Sequence, residues 1–253
     1  MREPQGRSTR GTCRRSQSVT LPTLVLLCVL SAIAFHPLGA QLRGRAASQR
    51  GAGWWLSVGG GSANVAQIND GATQSRWLFS TDPLWQLRGT LEKGIDEATT
   101  IGVAASFGKA DLIVERFAPS TSGTPRVATV PLPTSCQLSC AAHGELWSLM
   151  AQFRSGGGSG FHTSFEAAGG VTGLRNLRTR DSVSALIGKA SGTMDLSGTI
   201  GFGVAFPLSR HFVLSLVQDF GLGLHAKTNL PDGASRYFRT RSTRAALRIG
   251  LGN

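Results

Sequence analysis

From Gly53 onward, bulky apolar residues return at every second position in eight separate segments, each about ten residues or longer. A period of two is the period of an extended strand, whose successive side chains point to opposite faces. In the first segment Trp54, Leu56 and Val58 share one face and Ser57, Gly59 and Gly61 the other. The same alternation fills Trp85–Glu92, Ile101–Gly108, Trp147–Arg154, Phe161–Ala168, Asp195–Phe206, Phe212–Leu224 and Arg244–Leu251. No stretch has the 3.6-residue period of a packed helix. The faces opposite the bulky residues are rich in Gly, Ala and Ser, and 33 of the 253 residues are Gly. A soluble sandwich would turn a charged face to water. Small residues suit the crowded lumen of a narrow barrel, and bulky apolar ones suit lipid. The fold expected over residues 53–253 is therefore all-β: an eight-stranded antiparallel transmembrane β-barrel.

The connections support this independently, because they alternate between short and long. Short turns are expected at Gly94–Ala98, Ser155–Gly160 and Pro207–Arg210, and long connections at Ala63–Arg76, Ala118–Gly144, Arg178–Gly192 and Ala226–Tyr237. With the short turns in the periplasm, an even strand number returns both termini there.

Ahead of the barrel, Arg2, Arg7, Arg10, Arg14 and Arg15 precede an apolar run from Leu21 to Phe35. This is the layout of a secretory signal peptide, and the run is shorter than the roughly 20 residues that span a bilayer as a helix. Residues 1–40 are expected to be removed after Ala40 by way of Sec export, leaving 41–52 as a short periplasmic segment. Ser16-Gln17-Ser18 follows Arg14-Arg15 where a twin-arginine signal carries apolar residues, and Cys28 lacks a lipoprotein context. Cys13 and Cys28 leave with the signal. Cys136 and Cys140 then form a local disulfide in an exported loop. His143 alone does not make a metal site of them, and no metal or cofactor is expected.

These features resemble the small outer-membrane barrel superfamily that includes the OmpA transmembrane domain, OmpX and the opacity proteins. The resemblance rests on Gly39-Ala40-Gln41, the Gly-rich alternating strands, the Pro207-Leu208-Ser209-Arg210 turn and the closing run Arg244 to Gly252. Such barrels end in an aromatic residue, whereas this chain ends in Gly252-Asn253. The resemblance implies a monomer in the outer membrane of a diderm bacterium, surrounded by lipid and lipopolysaccharide and inserted by the barrel assembly machinery.

The net charge of +12 raises nucleic acid as a partner. The arginines are scattered, however, with no zinc-finger spacing, helix-turn-helix or RNA-binding aromatic signature, so none is expected. On the inward faces Arg88, Arg154, Arg244 and Arg248 accompany Glu92, Glu166, Asp195 and Asp219. In a lumen just wide enough for side chains these groups should pair as a plug. Glu92, close to a turn, should be screened by water.

Arg175, Arg178 and Arg180, with Lys227, Arg236, Arg239 and Arg241, fall at or beyond the outer strand ends, where guanidinium forks suit lipopolysaccharide phosphates. His162, Ser164 and Glu166 project to one side of a strand, and the His-x-Ser pair is similar to that of a lipid A deacylase barrel. Residues two apart on a strand lie nearly 7 Å apart, far for a nucleophile and its base. The expected function is a non-enzymatic barrel acting through its extracellular loops in a structural or adhesive role. The alternatives are a lipid A-modifying hydrolase and a narrow channel.

Overall fold

The computed structural model describes residues 53–118, 128–157, 160–188 and 192–251. The signal segment 1–40, the stretch 41–52 and the closing Gly252-Asn253 lie outside the described residues. The strands are β1 (Trp54–Val65), β2 (Ile68–Asp70), β3 (Ser75–Phe79), β4 (Leu84–Gly94), β5 (Thr99–Arg116), β6 (Ser139–Ser155), β7 (His162–Thr179), β8 (Asp195–Pro207), β9 (Phe212–Leu224) and β10 (Tyr237–Leu251). A short 3-10 turn, Thr134–Cys136, precedes β6.

Eight of these strands form the wall. Neighbours run β4, β1, β10, β9, β8, β7, β6, β5, and β5 pairs back with β4, every pairing antiparallel. The wall is thus closed. Closure removes strand edges, which lipid requires because it offers backbone N–H and C=O groups no partner.

The expected alternation is present on both faces. Val58, Leu149 and Leu216 point outward at 59%, 53% and 52% exposure, while their neighbours Ser57, Met150 and Ser215 point inward at 2%, 6% and 1%. A belt rich in exposed Leu, Val, Ile and Phe would aggregate in water, and it matches a bilayer.

Three expected connections are shorter than the alternation indicated. The span Ala63–Arg76 contains the end of β1, all of β2 and the start of β3; β6 already begins at Ser139; and β7 runs to Thr179, with Arg178 bridging to Leu186. The cause is length. β5, β6 and β7 have 18, 17 and 18 residues and outrun the bilayer. Above it their outward positions become Lys109, Asp111, His143 and Glu145, so the bulky outward signal disappears.

β3 and β4 both pair with β5, and between Phe79↔Leu112 and Gln86↔Gly108 seven steps on one strand face four on the other. They form one wall strand interrupted by a bulge at Ser80–Pro83, and β2 and β3 form a hairpin above the membrane. At this outer end the interior is apolar. Ile68, Trp77, Leu112, Val114, Leu146, Leu174 and Phe238 pack there, with Cys136, bridged to Cys140, among them. The inward faces are therefore not polar throughout.

The seam between β1 and β10 depends on close backbone approach. A Cβ on Gly59 would stand 2.6 Å from the Cβ of Ala246, whereas one on Gly60 would meet nothing nearer than 3.7 Å. Gly59→Ala should therefore destabilise the barrel by about 1–3 kcal/mol through overpacking, and Gly60→Ala should leave it near wild type. Urea-dependent unfolding in lipid, followed by gel mobility, checks the difference.

Candidate functional site

The inner half of the lumen holds one continuous ionic chain. Arg248 Nη2 donates to Glu92 at 2.7 Å, and Arg154 stands 3.4 Å from the same carboxylate and 2.8 Å from Glu166. Glu166 also accepts from Arg244, whose Nε donates to Asp219 at 2.8 Å. These six residues come from β4, β6, β7, β9 and β10, so the chain crosses the lumen rather than following one wall. Dehydrating a charge costs several kcal/mol, and shared partners offset it only where each group is bonded more than once.

Glu92 differs from the expectation that water screens it. It is 1% exposed and accepts further hydrogen bonds from Thr90 and Thr100 at 2.9 and 2.6 Å. Trp55 packs 4.9 Å from the Arg248 guanidinium. Arg88 is not part of the ionic chain. Its Nη2 donates to the neutral Gln152 Oε1 at 2.8 Å, and Gln152 in turn donates to Glu166 at 3.3 Å.

Asp195 does not join these arginines, because a different partner lies nearer. Its carboxylate accepts from His225 Nδ1 at 2.9 Å, and His225 Nε2 donates to Asp70 at 3.2 Å. Asp70 also accepts from Thr73, and Thr73 shares a 2.6 Å hydrogen bond with Ser75. Trp77 packs edge-on against the imidazole at 5.5 Å. The cluster lies beyond the membrane-spanning part of the strands and ties the β2–β3 hairpin to β8 and the end of β9. Burial opposes the charged imidazole, but hydrogen bonds and charge from Asp195 and Asp70 outweigh it and hold the His225 pKa up at about 9. Burial likewise opposes the Asp70 carboxylate, and the hydrogen bonds from His225 and Thr73 prevail, keeping its pKa below the usual range.

Sequence reasoning missed Asp70 and His225. Asp70 fell in an expected connection. His225 continues the inward parity of Asp219, Gly221 and Gly223, which was the available signal.

The outer cations divide into two groups. Arg175 pairs with Glu145 at 2.8 Å, Arg180 with Asp111 at 3.6 Å, and Arg178 donates to the Ser184 carbonyl at 3.0 Å. Local loop chemistry already occupies these. Arg236 lies over Tyr237 and Arg241 over Phe220, at 5.3 and 5.7 Å. Arg239 and Arg241 are exposed on the outward face of β10, with no ion pair among the described residues.

The His162, Ser164 and Glu166 side chains do not form a relay. His162 Nδ1 bonds the Gly160 carbonyl at 2.8 Å, the Ser164 hydroxyl has no hydrogen-bond partner among the described residues, and Glu166 is held by two arginines. Among the described residues, no group of three or more His, Cys, Asp or Glu residues could hold a metal ion.

No protein-family model and no curated protein matches the chain. Among solved structures it is similar to Neisserial surface protein A at 9% identity and a TM-score of 0.43, covering 79% of this chain and 98% of that one. It is similar to Ail, the attachment invasion locus protein of Yersinia pestis, at 13% and 0.39, covering 78% and 99%. It is also similar to the outer membrane protein OprG of Pseudomonas aeruginosa at 14% and 0.37, covering 79% and 95%.

The mouth cluster sets a pH profile. A raised His225 pKa means its contribution is complete below the usual 6.5 and is lost as pH rises through about 9. The depressed Asp70 pKa means that carboxylate's contribution is lost as pH falls below its usual 3.8. The thermal midpoint of the wild type should therefore fall between pH 6.5 and 9, and His225→Gln should flatten that slope. Heat-modifiable gel mobility across this range measures it.

Proposed function

We propose that this protein is a non-enzymatic outer-membrane barrel, exported through Sec in a diderm bacterium, with a sealed lumen and a surface role carried by its extracellular end. What supports this reading is the set of inward side chains that meet one another at both ends of the interior. Trp55 and the Arg248–Glu92–Arg154–Glu166–Arg244–Asp219 chain occupy the inner half, and apolar packing with the Asp70–His225–Asp195 cluster occupies the mouth.

Planar-bilayer recording tests the seal. The folded wild type should pass no steady ion current, and sustained conductance would overturn the reading in favour of a channel. Glu166→Gln should lower stability by about 3–5 kcal/mol, because it removes one of the two carboxylates shared by each of the buried Arg154 and Arg244 guanidiniums. An unchanged melting midpoint would show that Glu166 is not paired.

The surface role has a chemical basis in Arg239 and Arg241. Their exposure on the outward face of β10 suits phosphates of outer-leaflet lipopolysaccharide, since each guanidinium can bond a phosphate bidentately. Barrel purified with both changed to Gln should carry less lipopolysaccharide than the wild type. Equal amounts would leave these arginines as solvated charges.

A further inference from the structure

The inner lumen is not electrically balanced by its own side chains. Arg88, Arg154, Arg244 and Arg248 face Glu92, Glu166 and Asp219, four cations against three carboxylates, since Asp195 is taken by His225. Arg88 is the surplus cation, and its hydrogen-bond partner is the neutral Gln152. The mouth carries the opposite excess, two carboxylates about one imidazolium. That excess lies toward the outer end. Arg88, Ser106, Ser148, Thr172 and Asp195 are successive partners in one register row. Four strand-to-strand steps of about 4.8 Å separate its ends, and because the strands tilt the row also climbs toward the outer end.

Several donors in the same region are unused. The Nε atoms of Arg88, Arg154 and Arg248, the Nη1 of Arg154 and the hydroxyl of Ser164 are buried and have no hydrogen-bond partner among the described residues. Arg154 is 2% exposed and Arg88 is half-buried. A guanidinium cannot relieve the imbalance by releasing its proton. Water can accept from an N–H group but supplies no charge, and an uncompensated buried charge is costly.

We infer that the inner lumen binds one small monovalent inorganic anion, such as chloride, at the Arg88 guanidinium. The surplus of one charge sets the valence, and an interior sized for side chains sets the bulk. The Ser106 and Ser148 hydroxyls, 2.7 Å apart beside Arg88 in the register row, offer a further donor on that side. Arg248, Arg244 and Arg154 remain neutralised by their carboxylates, so the anion acts as the counterion that the sequence omits. The site goes beyond the sealed-lumen reading, which bilayer current tests separately.

The test compares folded barrel in chloride with barrel in isethionate, an anion too large to enter, at equal ionic strength. The wild-type melting midpoint should rise by roughly 3–6 °C for each tenfold increase in chloride above half-saturation and stay level in isethionate. Arg88→Gln removes the surplus and should abolish the dependence. Crystals of the wild type soaked in bromide should show an anomalous peak within hydrogen-bond reach of the Arg88 guanidinium. The peak decides the matter even if Arg88→Gln fails to fold. Its absence, or equal wild-type midpoints in the two salts, would mean that the region holds water only and would overturn the site.

Discussion

The rest of this structure follows from one constraint: backbone polar groups at membrane depth must find partners within the protein. Eight strands meet that requirement by closing β1 onto β10. Closure with so few strands leaves an interior only as wide as the side chains that fill it. Gly59 lies at this seam because the backbone of β10 comes too close for a larger residue. Width then governs chemistry, since any charge turned inward must find its counter-charge within a few ångströms and without bulk water.

The interior solves this in two ways at its two ends. At membrane depth, arginines and carboxylates on alternating wall positions interlock across the lumen, and each carboxylate is bonded more than once. Above the bilayer the strands of β5 to β7 continue, water covers their outer surface, and the usual arrangement of a soluble domain returns. Polar residues face outward and Leu112, Val114, Leu146 and Leu174 face inward. The Cys136–Cys140 bridge belongs to this second region, and its loop closure is too short to restrain much of the unfolded chain. The His225 cluster joins the two, since it ties the β2–β3 hairpin to wall strands β8 and β9 through partners distant in sequence. Segregation of charge is a consequence: Asp195 belongs to the mouth, and Arg88 is left below with the neutral Gln152 as its hydrogen-bond partner.

Strands were legible where lipid imposes a rule on every second residue. Leu56, Val103, Phe153, Phe202 and Leu247 each sit on the outward face that the alternation assigns. The rule ends where the lipid ends, which is why β2, the start of β3, the upper part of β6 and the end of β7 were hidden within expected connections. The Ser80–Pro83 bulge was illegible for a related reason: inserted residues shift the parity, and a local pattern does not record which strand they are offset against. Glu92 shows the limit of sequence distance as a guide to exposure. It lies close to a turn, yet Arg248 and Trp55, from the opposite end of the barrel domain and from β1, cover it.

By itself the sequence determined which side of each membrane strand meets lipid and which meets the lumen, because a strand's two faces alternate along the chain whatever its neighbours are. Within the membrane strands it also determined which inward positions carry charge, though not Asp70 and His225 at the mouth. Tertiary structure alone decided who pairs with whom. Asp195 meets His225 rather than an arginine, Asp70 comes from a hairpin 155 residues away from that histidine, and Glu166 lies between Arg154 and Arg244. Pairing depends on the stagger of strands around a closed wall. Closure fixes that stagger for all eight strands together, and no single segment encodes it.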